Sequence, residues 1–143
     1  VLESICERQW QFDLYRSTLM PQIAIHSVDV KKQTSGNTTV LEISAEIENT
    51  GALPTGLSRT EWMAFNRGDV VWLTGENNKV IFLSGKPCEK IDNLYGHMQI
   101  PGFENRDGNR KTLKWTVAVE GREKIKIIAS SLKGGTVVKE VKY

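Results

Sequence analysis

The side chains with the widest chemical reach in this sequence are two histidines, His26 and His97, two cysteines, Cys6 and Cys88, and the glutamates Glu42, Glu46 and Glu48. A zinc site needs three or four His, Cys, Asp or Glu ligands at helical or hairpin spacing. The two histidines lie in different segments, and neither is followed by Glu three residues on. They read as hydrogen-bonding residues of a strand and a loop. Paired carboxylates can run acid and base chemistry, but these glutamates alternate with Leu41, Ile43, Ala45 and Ile47, which makes them the solvated face of a half-buried strand. The cysteines are far apart and form no CxxC pair, so neither a disulfide framework nor a thiolate metal site is indicated. Two free thiols and a single bridge both remain compatible with them. Asn105, Asp107 and Asn109 alternate around Gly108, but the glycine is misplaced for an EF-hand and no acidic residue closes the loop. That stretch reads as a tight turn. A nucleophile elbow, a phosphate-binding loop and a GxGxxG fingerprint are all missing from the sequence. The chain is therefore expected to hold no catalytic site and no cofactor of its own.

Four tryptophans, Trp10, Trp62, Trp72 and Trp115, raise the question of a carbohydrate-binding face, since an exposed indole can stack on a sugar ring. Trp72 and Trp115 sit inside apolar strand runs and Trp10 on an apolar helix face, which favours core packing. Asn37-Thr38-Thr39 matches a glycosylation sequon, a short pattern that arises readily by chance.

The elements that would carry these residues begin with a helix over the first twenty positions. Ser4 and Glu7 fit a capping box, Leu2, Cys6, Trp10 and Leu14 recur four apart, and Pro21 stops the run. Phe12, Tyr15 and Leu19 widen the apolar surface, which predicts contact on two sides. One side would rest on this chain and the other, through Phe12 and Tyr15, on a neighbouring domain.

From Gln22 the period becomes two. Ile23 and Ile25, then Val28 and Val30, shift once near His26-Ser27, where a bulge would absorb the extra residue. Ser35-Gly36-Asn37 turns the chain into the strand that carries the glutamates. That strand ends in IENTGALPTG, whose Asn49, Thr50, Gly51, Pro54 and Thr55 predict a corner between sheets, with Gly51 at positive φ. A second capping box, Ser58 and Glu61, predicts a short helix before VVWLTG and KVIFLSG, two strands that GENN would join as a hairpin. Residues 86–109 read as a long surface loop with a short strand at LYGHMQI. Three further strands follow, over Leu113 to Val119, Ile125 to Ala129 and TVVKEVKY.

Seven strands and only short helices predict an all-β fold, an immunoglobulin-like β-sandwich over residues 21–143 behind a linker helix over residues 1–20. With 143 residues and 39% hydrophobic content, one such domain can bury its own core. A net charge of +2, dispersed along the chain, argues against a nucleic-acid or acidic-lipid partner. No apolar run approaches the roughly 18 residues of a membrane span, and VLESICERQW lacks the blocks of a signal peptide. Val1 is accordingly expected to lie inside a longer protein.

Leu19-Met20-Pro21 before the first strand, Asn49-Thr50-Gly51 and Leu53-Pro54-Thr55 after the second, and WTVAVEG followed by IIASSLKGGTV resemble, in that order, the C-terminal β-sandwich of bacterial zinc carboxypeptidases of the carboxypeptidase A type. The resemblance runs from about Trp10 to Val138 and includes no catalytic motif. It implies a non-catalytic accessory domain behind an upstream peptidase domain of the same polypeptide. That upstream domain would hold the zinc with a His-x-x-Glu pair and a distant His. An extracellular or periplasmic location is implied by the same resemblance. The alternative is a free-standing extracellular module that binds glycan or a cell surface. Neither reading fixes an oligomeric state.

Overall fold

Alternation of apolar and polar residues decides which side of each strand meets the core. The computed structural model describes residues 2–56, 68–77, 79–97, 108–121 and 123–143. Within them, helix α1 (Leu2–Thr18) precedes β1 (Ile23–Ser35), β2 (Thr38–Asn49), β3 (Asp69–Gly75), β4 (Val80–Ser84), β5 (Cys88–Ile91), β6 (Arg110–Glu120), β7 (Ile125–Ser131) and β8 (Gly135–Val141). The strands form two four-stranded sheets, in the orders β1-β2-β6-β4 and β5-β3-β7-β8. Every pairing is antiparallel. The chain is an all-β sandwich, with eight described strands where the sequence predicts about seven.

Leu41, Ile43 and Ile47 of β2 and Trp115, Val117 and Val119 of β6 face inward from the first sheet, each at most 1% exposed. Val71 and Leu73 of β3 and Ile125 and Ile127 of β7 meet them from the second sheet, equally covered. Each such side chain contributes about 1.5–3 kcal/mol by leaving water. The core ends of the two sheets are also tied by hydrogen bonds. The Trp115 indole N–H donates to the Lys86 carbonyl at 3.0 Å. Along the β1 and β8 side, Ile23 N–H donates to Gly134 O at 2.9 Å, and the Lys32 ammonium lies 5.5 Å from the Tyr143 ring centre.

The predicted bulge is present. Ile25 opposes Ile47 and Ser27 opposes Glu46, which leaves His26 as the extra residue of β1. The GENN hairpin is not. β3 and β4 lie in different sheets, so the chain crosses from one layer to the other between them. Among the described strands, each successive one from β2 to β7 changes sheet, and only β1–β2 and β7–β8 are hairpins of neighbouring strands. An apolar run shows that a strand is buried without showing on which layer it lies. In the stretch read as a loop, Cys88–Ile91 forms β5 and pairs with β3. Leu94 to His97 carry no strand, and the rest of LYGHMQI lies outside the described residues. The predicted helix at Ser58 and Glu61, with Trp62, also lies outside them.

Helix α1 departs most from expectation. No residue in it is buried. Trp10 is 64% exposed, so its indole packs in no core, and Trp72 is only half-buried. The helix already runs at Leu2, which places Ser4 inside its first turn instead of at its cap. The predicted contact of α1 with the sandwich is not made: no side chain of the helix is buried, and charged and amide side chains stand between its apolar ones. Cys6 and Cys88 are free and exposed.

Candidate functional site

The corner residues build one hydrogen-bonded clasp at the end of β2. Asn49 is fully buried, so each of its polar atoms needs a partner. Its carboxamide oxygen accepts from Gln22 N–H and from Gly51 N–H, both at 3.0 Å. Its nitrogen donates to Leu53 O at 2.8 Å and Tyr95 O at 3.1 Å. All four bonds open to a carboxamide are thereby made. Thr50 N–H donates to Gln22 O at 2.8 Å, and Leu53 N–H to Leu19 O at 2.9 Å. Thr55 pairs with Leu94 in both directions: its N–H donates to Leu94 O at 2.9 Å, and its hydroxyl oxygen accepts from Leu94 N–H at 2.8 Å. Three segments, 19–22, 49–56 and 94–97, are joined in this way. Pro54 lies half-buried within the middle one.

Gly51 holds this place for a different reason from the one its sequence context suggests. Its φ is not among the positive values, but a Cβ there would stand 2.2 Å from Met20 O and 2.6 Å from Pro21 Cα. Close backbone approach, not left-handed geometry, requires glycine.

Beside the clasp, on the outer face of the first sheet, the residues read as unconnected come together. Glu48 is 7% exposed. One of its oxygens lies 3.0 Å from His26 Nδ1, and the other accepts from Arg110 Nη2 at 3.1 Å. His97 Nε2 approaches that second oxygen to 3.7 Å, and Asn109 Nδ2 approaches it to 3.5 Å. Glu46 completes the group, 3.6 Å from Arg110 Nη1 and 3.8 Å from His26 Nε2. The bulge turns His26 to this face, the register sets Arg110 directly opposite Glu48, and His97 N–H is fixed to Gly51 O at 3.0 Å. Glu48 is thus not part of a wet face. The usable signal in the sequence is the odd residue His26 at the period shift, which must point away from its neighbours' pattern.

The chemistry open to this group is limited by its own pairing. The Arg110 guanidinium pairs with both carboxylates, and no group of three or more His, Cys, Asp or Glu among the described residues has the arrangement of a metal site. Glu48 works as a junction between β1, β2, β6 and the 94–97 segment. Phe12 and Tyr15, the candidate docking residues, are far more open, at 54% and 58% exposure. The Arg16 guanidinium lies 5.7 Å from the Phe12 ring centre.

A family model described as a domain of unknown function, DUF8731, matches residues 22–142. The chain belongs to that family. The matched span takes in every described strand and leaves α1 outside it. No curated protein matches the chain. No described helix is long and apolar enough to cross a membrane.

Proposed function

We propose that this chain is a non-catalytic accessory module that docks through α1 onto an upstream peptidase domain of the same polypeptide. The observation that carries the docking reading is a 17-residue helix in which nothing is buried although Leu2, Ile5, Trp10, Phe12, Leu14 and Tyr15 are all large and apolar. Water contact over that much apolar surface is unfavourable, so the helix gains by being covered. The sandwich supplies the rigid mount, because its corner clasp holds Leu19 and Gln22 directly after the helix. A non-catalytic role is supported by the pairing of Glu46, Glu48, His26 and Arg110 with one another. The identity of the neighbour as a secreted zinc carboxypeptidase rests on the resemblance in the sequence, and in this reading the zinc belongs to the neighbour.

Phe12→Asp and Tyr15→Asp test the docking. Each should leave the melting temperature of the isolated 143-residue chain unchanged and lower that of the natural full-length polypeptide. Equal losses in both would show that this face serves its own sandwich and would end the proposal.

A further inference from the structure

The outer face of the first sheet carries a second feature, two strand positions beyond the Glu48 junction. A groove of about 350 Å³ crosses β1, β2 and β6, rimmed by Asp29, Lys31, Glu42, Ser44, Lys114 and Thr116. The register arranges these side chains in two cross-strand rows. Asp29 opposes Ser44, which opposes Lys114, and Lys31 opposes Glu42, which opposes Thr116. Adjacent strands are about 4.8 Å apart and like-facing residues about 6.8 Å apart along a strand, so the rows form a small regular grid.

Opposite charges set across a strand pair usually neutralise one another. Here no ion pair or hydrogen bond joins Asp29, Lys31, Glu42 or Lys114 to one another or to any other side chain among the described residues. Two carboxylates that only accept, two ammonium groups that only donate and two hydroxyls that do both line one concavity, and their net charge is zero. A polyanion or polycation would meet as much repulsion as attraction. An extended peptide could not add a strand, because β2 is paired on both edges and the groove offers side chains alone. A polyhydroxylated ligand answers donors and acceptors at this density without net charge.

We infer that this groove binds a neutral saccharide unit, held by charge-assisted hydrogen bonds from Asp29, Lys31, Glu42 and Lys114 to its hydroxyls. Trp115 at the floor is 1% exposed, its indole directed into the core, so no ring platform adds stacking. This site is separate from α1 and does not depend on the docking reading.

The test is amide chemical-shift mapping of the ¹⁵N-labelled chain with maltose, cellobiose, lactose and chitobiose. At least one should produce saturable shifts confined to residues 29–31, 42–44 and 114–116. Glu42→Gln combined with Lys114→Met should abolish them while leaving the circular dichroism spectrum unchanged. Absence of saturable shifts with all four sugars overturns the inference. So do shifts that survive in the double variant or map to Trp10 instead, and so does a groove that responds to a charged peptide or inorganic phosphate but to no sugar.

Discussion

At the scale of single residues, Asn49 bears the greatest consequence for stability. Replacing it with Ala would strand two backbone N–H groups and two carbonyls in a dry corner, at a cost of roughly 2–4 kcal/mol. Asn49→Asp is the sharper comparison, since it keeps the acceptor for Gln22 and Gly51 but faces the Leu53 and Tyr95 carbonyls with an oxygen. Thermal unfolding should show both variants well below the native chain, and a near-native Asp variant would mean the donor half of the clasp is idle. Gly51→Ala should cost about 1–3 kcal/mol, because the obstacle is the Met20-Pro21 backbone, which cannot swing aside. Gly36 is the control. It has φ of +60° and nothing within 4 Å of an added Cβ, so Gly36→Ala there measures left-handed strain alone, about 1–2 kcal/mol. The corner was legible because Asn, Thr, Gly and Pro crowd into it. That Asn49 is its hub was not, since its partners Gln22 and Tyr95 lie 27 and 46 residues away. Glu48 was misread for the same reason, as period two assigns it a face and its cover comes from His26, His97 and Arg110.

At the scale of elements, the chain changes sheet repeatedly, and two of its crossovers are fastened by one side chain. Glu123, 4% exposed, stands between β6 and β7. It accepts from Asn77 N–H at 2.6 Å and from Asn77 Nδ2 at 3.0 Å, in the link between β3 and β4. The Tyr143 hydroxyl donates to the Glu123 carbonyl and accepts from its N–H, so the chain's last residue is tied to the same point. The Asn77 side-chain and backbone bonds hold the Glu123 carboxyl below its ordinary value, against the smaller opposing effect of burial. A folded-state value below the unfolded one gives stability that is fully present above the unfolded carboxyl's range, about pH 4–5, and is lost as pH falls through the lowered folded value. Glu123→Gln should therefore melt below the native chain at neutral pH, with the gap closing as the solution is acidified. A gap that stays constant down to about pH 3 would remove Glu123 from the acid response. None of this was visible in GENN, which has the composition of a hairpin. Gly and Asn mark a reversal of direction, and a crossover between layers needs that reversal as much as a hairpin does. β5 escaped notice because Cys-Glu-Lys-Ile shows no alternation, and only its Ile91 reaches the core.

At the scale of the whole molecule, the inner faces of the sandwich were written plainly in β2 up to Ile47 and in β6 from Leu113 to Val119, where apolar residues recur at every second position, and helix α1 was legible as an element but not in its relation to the rest. A capping box and spacing by four establish helicity, and whether a stripe is broad enough to be held depends on a partner surface that the stripe does not contain. That separation yields a prediction about where the fold begins. Since α1 buries nothing, removing residues 1–18 should leave the melting temperature of the remainder unchanged. Removing residues 1–22 is a different matter, although the family match itself starts at Gln22. Leu19 O accepts from Leu53 N–H, Gln22 N–H donates to Asn49, Gln22 O accepts from Thr50 N–H, and the Met20-Pro21 backbone fills the space against Gly51. Losing those partners unsatisfies the buried corner and should cost on the order of 3 kcal/mol or more. Denaturant unfolding of the two shortened chains decides the matter. If both match the parent, the clasp does not reach back to Leu19, and if both fall equally, α1 supports the sandwich through contacts that its exposure denies.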